Sequence, residues 1–234
     1  MRRMSVEVDV ETHGIALIES VVDPEELGAL APVRLPEGAV GGSRCQLARL
    51  EIAALAAALR AHRVLQSLIP KDHVAVQCNY FEKSSDRNWL VALHQDLSIP
   101  VARRVSAPEL RGWSEKEGTV FVQPPQEVLE QLIAVRLHVD ACGADDGPLR
   151  VVPGSHRLGV ITSEAASAVR ADRGESICIA SAGDALVMRP LALHASSKSV
   201  GTSRRRVLHF VFGPARLPLG LDWAVAKERS QAMA

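Results

Sequence analysis

Trp89-Leu90-Val91-Ala92-Leu93-His94-Gln95-Asp96 is an apolar run that ends in an imidazole and a carboxylate two positions apart. On an extended strand residues i and i+2 point to the same face, so one short segment presents both groups together. A lone His194 follows Gly183-Asp184-Ala185-Leu186-Val187-Met188-Arg189-Pro190, which reads as a second strand bounded by turn residues. Two histidines and a carboxylate gathered on one side of a metal leave the opposite positions open, the facial set that suits non-haem iron(II). His94, Asp96 and His194 are therefore the candidate ligands, provided that the fold brings residue 194 beside residue 94.

Working outward, the chain turns β-rich from residue 73. Short stretches with β-branched residues, broken by glycine and proline, predict strands at 73–81, 89–95, 119–122, 132–140, 149–152, 176–179, 185–189 and 205–212. Eight such strands suggest a sandwich or barrel with helices outside it, so the expected class is mainly β with flanking helices. Asp23-Pro24-Glu25-Glu26 opens a short helix to about residue 31, and a longer Ala- and Leu-rich helix runs over 46–67 before Pro70. Pro124-Pro125-Gln126-Glu127 starts a further helix, and 163–171 another. Residues 98–118, with Arg103, Arg104, Trp113, Glu115, Lys116 and Glu117, read as a long loop, either a lid or a surface insertion. With no repeat or dividing linker, 1–234 is expected to form a single domain. Its helical part would be 1–72, its β part 73–213 and its tail 214–234.

Bulk composition narrows the partners. The 234 residues carry 27 Lys+Arg and 27 Asp+Glu, a formal net charge of zero, so no global field draws the chain to nucleic acid or an anionic membrane. The most apolar stretch, 47–61, contains Arg49, Glu51 and Arg60 and cannot span a bilayer. Cys45, Cys78, Cys142 and Cys178 are widely spaced with no C-x-x-C pair, which fits reduced, buried thiols in a cytoplasmic protein. Met1-Arg2-Arg3-Met4-Ser5-Val6-Glu7 runs into acidic residues and has no apolar signal-peptide core. The expected partner is a small molecule; the oligomeric state is left open.

Strand alternation sorts the polar residues. Gln77 and Asn79 share one face of the 73–81 strand, and Arg136 and His138 one face of 132–140, whose opposite side carries Ile133, Val135, Leu137 and Val139. The polar side reads as a lumen. His138-Val139-Asp140 is a competing H-x-D pair, but only three predicted strands lie between it and His194, against five after Asp96. In a rolled eight-stranded fold that favours His94 and Asp96. His138 is then a supporting or substrate-facing group, or a core histidine. Within Ser203-Arg204-Arg205-Arg206, Arg205 shares a face with Val207 and His209.

The ordered set comprises a strand with H-x-D, the turn in Gly147-Pro148-Leu149-Arg150-Val151-Val152-Pro153-Gly154-Ser155-His156, a Gly-Asp turn, His194 and Arg205. It resembles the phytanoyl-CoA dioxygenase family of Fe(II)- and 2-oxoglutarate-dependent oxygenases over about residues 74–212. The resemblance implies a double-stranded β-helix, a cupin-like jelly roll, with His94, Asp96 and His194 as metal ligands and Arg205 holding the far carboxylate of 2-oxoglutarate. By the pattern of ectoine hydroxylase and its relatives, Gln77 and Asn79 line the cosubstrate pocket. Ser196 stands where the family has a hydroxyl that helps hold that carboxylate, and equally reads as a loop serine. Asp96 implies hydroxylation over halogenation, because halogenating relatives carry a small residue there. The implied reactants are Fe(II), 2-oxoglutarate, O2 and a small-molecule substrate, with succinate and carbon dioxide released.

For the substrate, Arg136 and His138 are candidate polar contacts, and Tyr80, Trp89 and Trp113 candidate walls, each equally readable as a packing residue. Four Phe, three Trp and one Tyr are few for a hydrophobic cavity, which favours a small or polar substrate. Two other readings stay open: a non-catalytic jelly-roll protein that binds a small molecule or metal, and a cupin-type metalloenzyme without 2-oxoglutarate.

Overall fold

A computed structural model describes residues 9–28 and 41–225. In chain order the elements are α1 (Val10–His13), β1 (Ile15–Ile18), α2 (Pro24–Gly28), β2 (Gly42–Ser43), α3 (Leu50–Ala61), α4 (Leu65–Leu68), β3 (His73–Lys83), β4 (Val91–His94), β5 (Ile99–Val101) and β6 (Arg111–Lys116). They continue with β7 (Thr119–Gln123), α5 (Gln126–Gln131), β8 (Ile133–His138), β9 (Leu149–Val151), α6 (Ser163–Arg173), β10 (Ser176–Cys178), β11 (Ala185–Met188), β12 (His194–Ser196) and β13 (Arg205–Pro214).

Antiparallel pairing gathers the strands into three sheets. The largest has the order β1-β11-β8-β13-β3-β2, the second β10-β9-β12-β4, and the third β5-β7-β6. The two larger sheets form the double-stranded β-helix, a jelly roll with a cavity opening from it.

Alternation decides what each face meets. Val135 and Leu137 of β8, Leu208, Phe210 and Phe212 of β13, and Cys78 and Tyr80 of β3 share a core with Ile52, Leu59 and Leu65 of the helices. Each fully buried side chain of this size contributes about 1.5–3 kcal/mol through its lost water contact. The intervening residues, Arg136 on β8, Arg205 and His209 on β13, and Gln77 and Asn79 on β3, line the cavity. Val211 pairs with Gln77 and Phe212 with Ala75, leaving Val76 as an extra residue in a bulge. Val76 and Gln77 consequently both reach the cavity.

Several local expectations change. The N-terminal third is not wholly helical, because Ile15–Ile18 pairs with β11 at the edge of the largest sheet. Four apolar residues between turns carry no period that separates strand from buried helix. The helix expected over 46–67 is three pieces, a 3-10 turn at Gln46–Ala48, α3 and α4, since Arg49 and His62 adopt extended backbone. The expected end of the helix near residue 31 falls outside the described residues.

Residues 98–118 are not one long loop: β5 and β6 flank β7 in the third sheet, and only 102–110 connects them without regular structure. β6 is an edge strand with charged residues and mostly open faces, so its composition imitates a loop. Among the described residues, no helix is long and apolar enough to cross a membrane.

Candidate active site

His94 ends β4 and His194 begins β12, and the two residues are direct antiparallel partners. Asp96 lies just beyond β4, its amide held by the Pro190 carbonyl at 3.0 Å. One ligand atom from each of His94, Asp96 and His194 lies within 4.8 Å of the others. The Nε2 atoms of His94 and His194 stand 3.7 and 3.8 Å from the Asp96 carboxylate oxygens.

The tautomers follow from the backbone. Nδ1 of His94 lies 2.8 Å from the Ala92 carbonyl oxygen, and Nδ1 of His194 lies 2.9 Å from that of Ala192. A carbonyl only accepts, so each Nδ1 donates, and in the neutral ring the lone pair is the one on Nε2. Both lone pairs belong to the cluster. Burial lowers the His194 pKa, with Asp96 opposing, which keeps the ring in its ligating neutral form.

Burial acts against the charge of Asp96, but His194, His209 and His94 around it hold its carboxyl below the ordinary value. The Asp96 side chain is still 43% exposed, toward the cavity.

Gln95, between the two predicted ligands, points the other way and is buried. Its amide nitrogen donates to the Gly159 and Leu191 carbonyls at 2.8 and 2.6 Å, and its oxygen accepts from the Ile161 amide at 2.8 Å. Three bonds thus pin the backbone from which His94 and Asp96 project. Its place in the middle of H-x-D was the only signal for this role.

Arg205 is 1% exposed and donates from one terminal nitrogen to the Gly147 carbonyl at 2.6 Å, while its Nε has no partner among the described residues. Ser196 donates to the same carbonyl at 2.8 Å. Lys83 Nζ donates to Ser196 Oγ at 2.7 Å and to the Ser197 carbonyl. Lys83 is the cross-strand partner of Arg205, so two basic side chains and a hydroxyl converge where Arg205 and Ser196 line the cavity. Arg204 and Arg206, on the other face, pair with Glu82 and Asp140.

The cavity has a volume of about 410 Å³. All three predicted ligands line it, as do Arg205, Gln77, Asn79, Ser196, Arg136 and Trp89. Other predicted residues stand elsewhere. Tyr80 alternates to the helix-covered side and donates to Glu82 at 2.9 Å. Trp113 packs with the third sheet's core, the Arg104 guanidinium 5.5 Å from its ring centre. His138 is buried on the Arg136 side of β8 but is not a lining residue, and neither ring nitrogen has a partner among the described residues. Burial, with Arg136 and Arg205 nearby, takes its pKa down to about 3.

Sequence reasoning missed other contributors. His209 was visible only as sharing the Arg205 face; its Nε2 lies 3.8 Å from Asp96, and burial lowers its pKa to about 4. Lys83 continues the Gln77–Asn79 alternation and was legible on that ground. Trp223, in the expected tail, forms part of the cavity wall, bridged to Val101 and bonded through its indole N–H to the Pro214 carbonyl at 2.8 Å.

Solved structures share this architecture at low identity. HygX from Streptomyces hygroscopicus, with nickel and 2-oxoglutarate bound, aligns with TM-score 0.60 and 17% identity over 88% of this chain and 84% of its own. The epimerase SnoN, in complex with Fe3+, alpha ketoglutarate and nogalamycin RO, gives 0.63 and 17% over 90% and 84%. EctD from S. alaskensis, in its apoform, gives 0.64 and 14% over 91% and 79%. No curated protein matches the chain by sequence. The family model described as phytanoyl-CoA dioxygenase (PhyH) matches residues 35–207, most of the chain and the whole of the cluster just described, and the chain therefore belongs to that family.

Proposed function

We propose that this chain is an Fe(II)- and 2-oxoglutarate-dependent dioxygenase that hydroxylates a C–H bond of a small-molecule substrate. The observation that carries the reading is the convergence of His94, Asp96 and His194 on a cavity that the buried Arg205 also lines. Family membership supports it, as do HygX and SnoN, whose structures hold 2-oxoglutarate or alpha ketoglutarate with a metal.

The donor set fits the metal. Two neutral imidazoles and an ionised carboxylate on one face suit Fe(II) and leave positions for a bidentate 2-oxo acid and O2. When bound, metal and cosubstrate supply the oxidative chemistry in which substrate R–H, 2-oxoglutarate and O2 yield R–OH, succinate and CO2.

The chain's share is holding and exclusion. His94 and His194 would ligate through Nε2, oriented by the Ala92 and Ala192 carbonyls, and Asp96 through its carboxylate. Arg205, with Ser196, would clasp the distal carboxylate of 2-oxoglutarate, since a guanidinium matches that group bidentately. Gln77 and Asn79 would line the cosubstrate's flank, their side chains locked by a 3.0 Å bond from Gln77 to Asn79. Phe81, Trp89, Phe121 and Trp223 would keep water from the reacting atoms.

The deciding experiment is anaerobic addition of Fe(II) and then 2-oxoglutarate to the metal-free protein. A visible charge-transfer band of a chelated 2-oxo acid is expected, and its absence favours the binding-only or cupin-type reading. Because SnoN is an epimerase, product mass fixes the outcome: hydroxylation adds one oxygen atom and epimerisation adds none.

A further inference from the structure

The cavity carries more positive charge than its cosubstrate needs. Among the described residues Arg44, Lys116, Arg136 and Arg205 line it, against a single carboxylate, Asp96. Most of these cations have a neighbour that accounts for them. Arg44 pairs with Glu117 at 3.4 Å, Arg205 donates to Gly147, and Lys116, 5.2 Å from the Phe121 ring centre, is only partly buried. Arg136 is the exception.

Arg136 is 6% exposed and makes no hydrogen bond or ion pair among the described residues. Its guanidinium lies 5.6 Å from the Phe81 ring centre. Its cross-strand partner is His209, whose own partner on the far side is Asn79, so Asn79, His209 and Arg136 form one rung across β3, β13 and β8. His209 in turn touches the Asp96 carboxylate at 3.8 Å. The guanidinium thus stands one strand away from the metal cluster. Burying a charge without a partner costs several kcal/mol, a cost that an incoming anion relieves.

We propose, on the basis of the oxygenase reading, that the substrate is a carboxylic acid whose carboxylate is held by Arg136 and whose body is apolar. Arg205 is committed to the cosubstrate in that reading, which leaves Arg136, buried and without a hydrogen-bond or ion-pair partner among the described residues, for a second anion. The body follows from the remaining wall, where Val76, Leu97, Ile99, Phe121, Val211 and Trp223 offer aliphatic and aromatic surface. Aliphatic side chains thus supply apolar surface that the count of aromatic residues does not register.

The test is calorimetric, under anaerobic conditions, on protein loaded with Fe(II) and 2-oxoglutarate. The probes are 3-phenylpropanoate, cyclohexanecarboxylate and octanoate, each against its own carboxamide. The best acid is expected to bind about tenfold or more tighter than its amide, a gap of about 1.4 kcal/mol. Arg136→Gln should erase that gap and Arg136→Lys keep part of it. Amides that bind as well as acids, or no binding by any of the six, overturn the proposal.

The cosubstrate's own second carboxylate is the other source of an anion for Arg136, and the charge-transfer band distinguishes it. A rise of about tenfold in the 2-oxoglutarate midpoint of Arg136→Gln would assign the guanidinium to the cosubstrate and overturn the proposal. The acid–amide comparison on the wild-type protein does not depend on the variant's folding. Absence of the band in wild-type protein defeats the oxygenase reading instead, and the same comparison on metal-free protein then still reports whether the cavity selects an anion.

Discussion

His94 and His194 are cross-strand partners with ring centroids 4.2 Å apart, and each ring is fixed by the carbonyl of the residue two positions before it. The pair is built into the sheet itself, with both lone pairs presented before any metal arrives.

Metal binding should therefore stabilise the native protein. At a free metal concentration about a hundred times Kd, the gain is about 2.7 kcal/mol. We predict that Fe(II), or Mn(II) as an air-stable substitute, raises Tm of the wild-type protein and that a chelator reverses the rise. His94→Ala and Asp96→Ala should show no rise, whereas His138→Ala should keep it. A metal-dependent rise lost in His138→Ala and kept in His94→Ala would transfer the site to the other H-x-D pair.

Gln95 is a positioning residue. Gln95→Ala leaves the Gly159 and Leu191 carbonyls and the Ile161 amide without their partner. Each buried group left unsatisfied costs about 1–3 kcal/mol, so denaturant unfolding should show a loss at the upper end of that range or beyond. Metal affinity, titrated separately on the folded fraction, should fall with it, because the backbone carrying His94 and Asp96 is released. Unchanged metal affinity would reduce Gln95 to a packing role.

Lys83 predicts a pH dependence of stability. Burial, with Arg205 and Arg136 nearby, brings its pKa down to about 7 from the ordinary lysine value of 10.5. Between those values the unfolded chain binds the proton and the native one does not, so this group makes stability rise with pH across that window. Below about pH 7 both states are protonated and the contribution is flat. Chemical denaturation from pH 6 to 10 should show the rise in wild-type protein and a shallower slope in Lys83→Met. Equal slopes would mean that the Ser196 and Ser197 oxygens keep the amine charged.

Gly147 tests how the Arg205 end is held. Its φ of 64° lies in the left-handed region, and a Cβ there would run into the Ser197 carbonyl oxygen. Its own carbonyl receives both Arg205 and Ser196. Gly147→Ala should cost more than about 1 kcal/mol of stability and weaken 2-oxoglutarate binding, read as a higher midpoint of the charge-transfer band. A variant with wild-type midpoint would show that Arg205 needs no such anchor.

The barrel was legible because its inner strands obey alternation. Ile133, Val135 and Leu137 against Arg136 and His138 separated core from lumen by residue type alone, and the same period placed Gln77 and Asn79. What alternation does not carry is depth along the strand. Arg136 reaches the cavity while His138, on the same face, does not, and only the packing of the neighbouring strands separates them. For Tyr80 the period decides between the two readings its chemistry left open, and it packs in the core. The third sheet was hidden because an edge strand such as β6 is coloured by solvent as a loop is, and Trp223 because a single residue inserted from a tail has no period at all.

The order of the largest sheet has a consequence for biosynthesis. β13, made after both of its neighbours, lies between β3 and β8 and carries Arg205 and His209. A growing polypeptide on the ribosome can hold β3 and β8 only as unjoined halves, with the gap between them closed after residue 214 has left the exit tunnel. Messages cut short between the codons for residues 196 and 205 would yield chains with His94, Asp96 and His194 all present and no completed sheet behind them, so quality control would meet a full set of candidate ligands in a molecule that has nowhere to seat them.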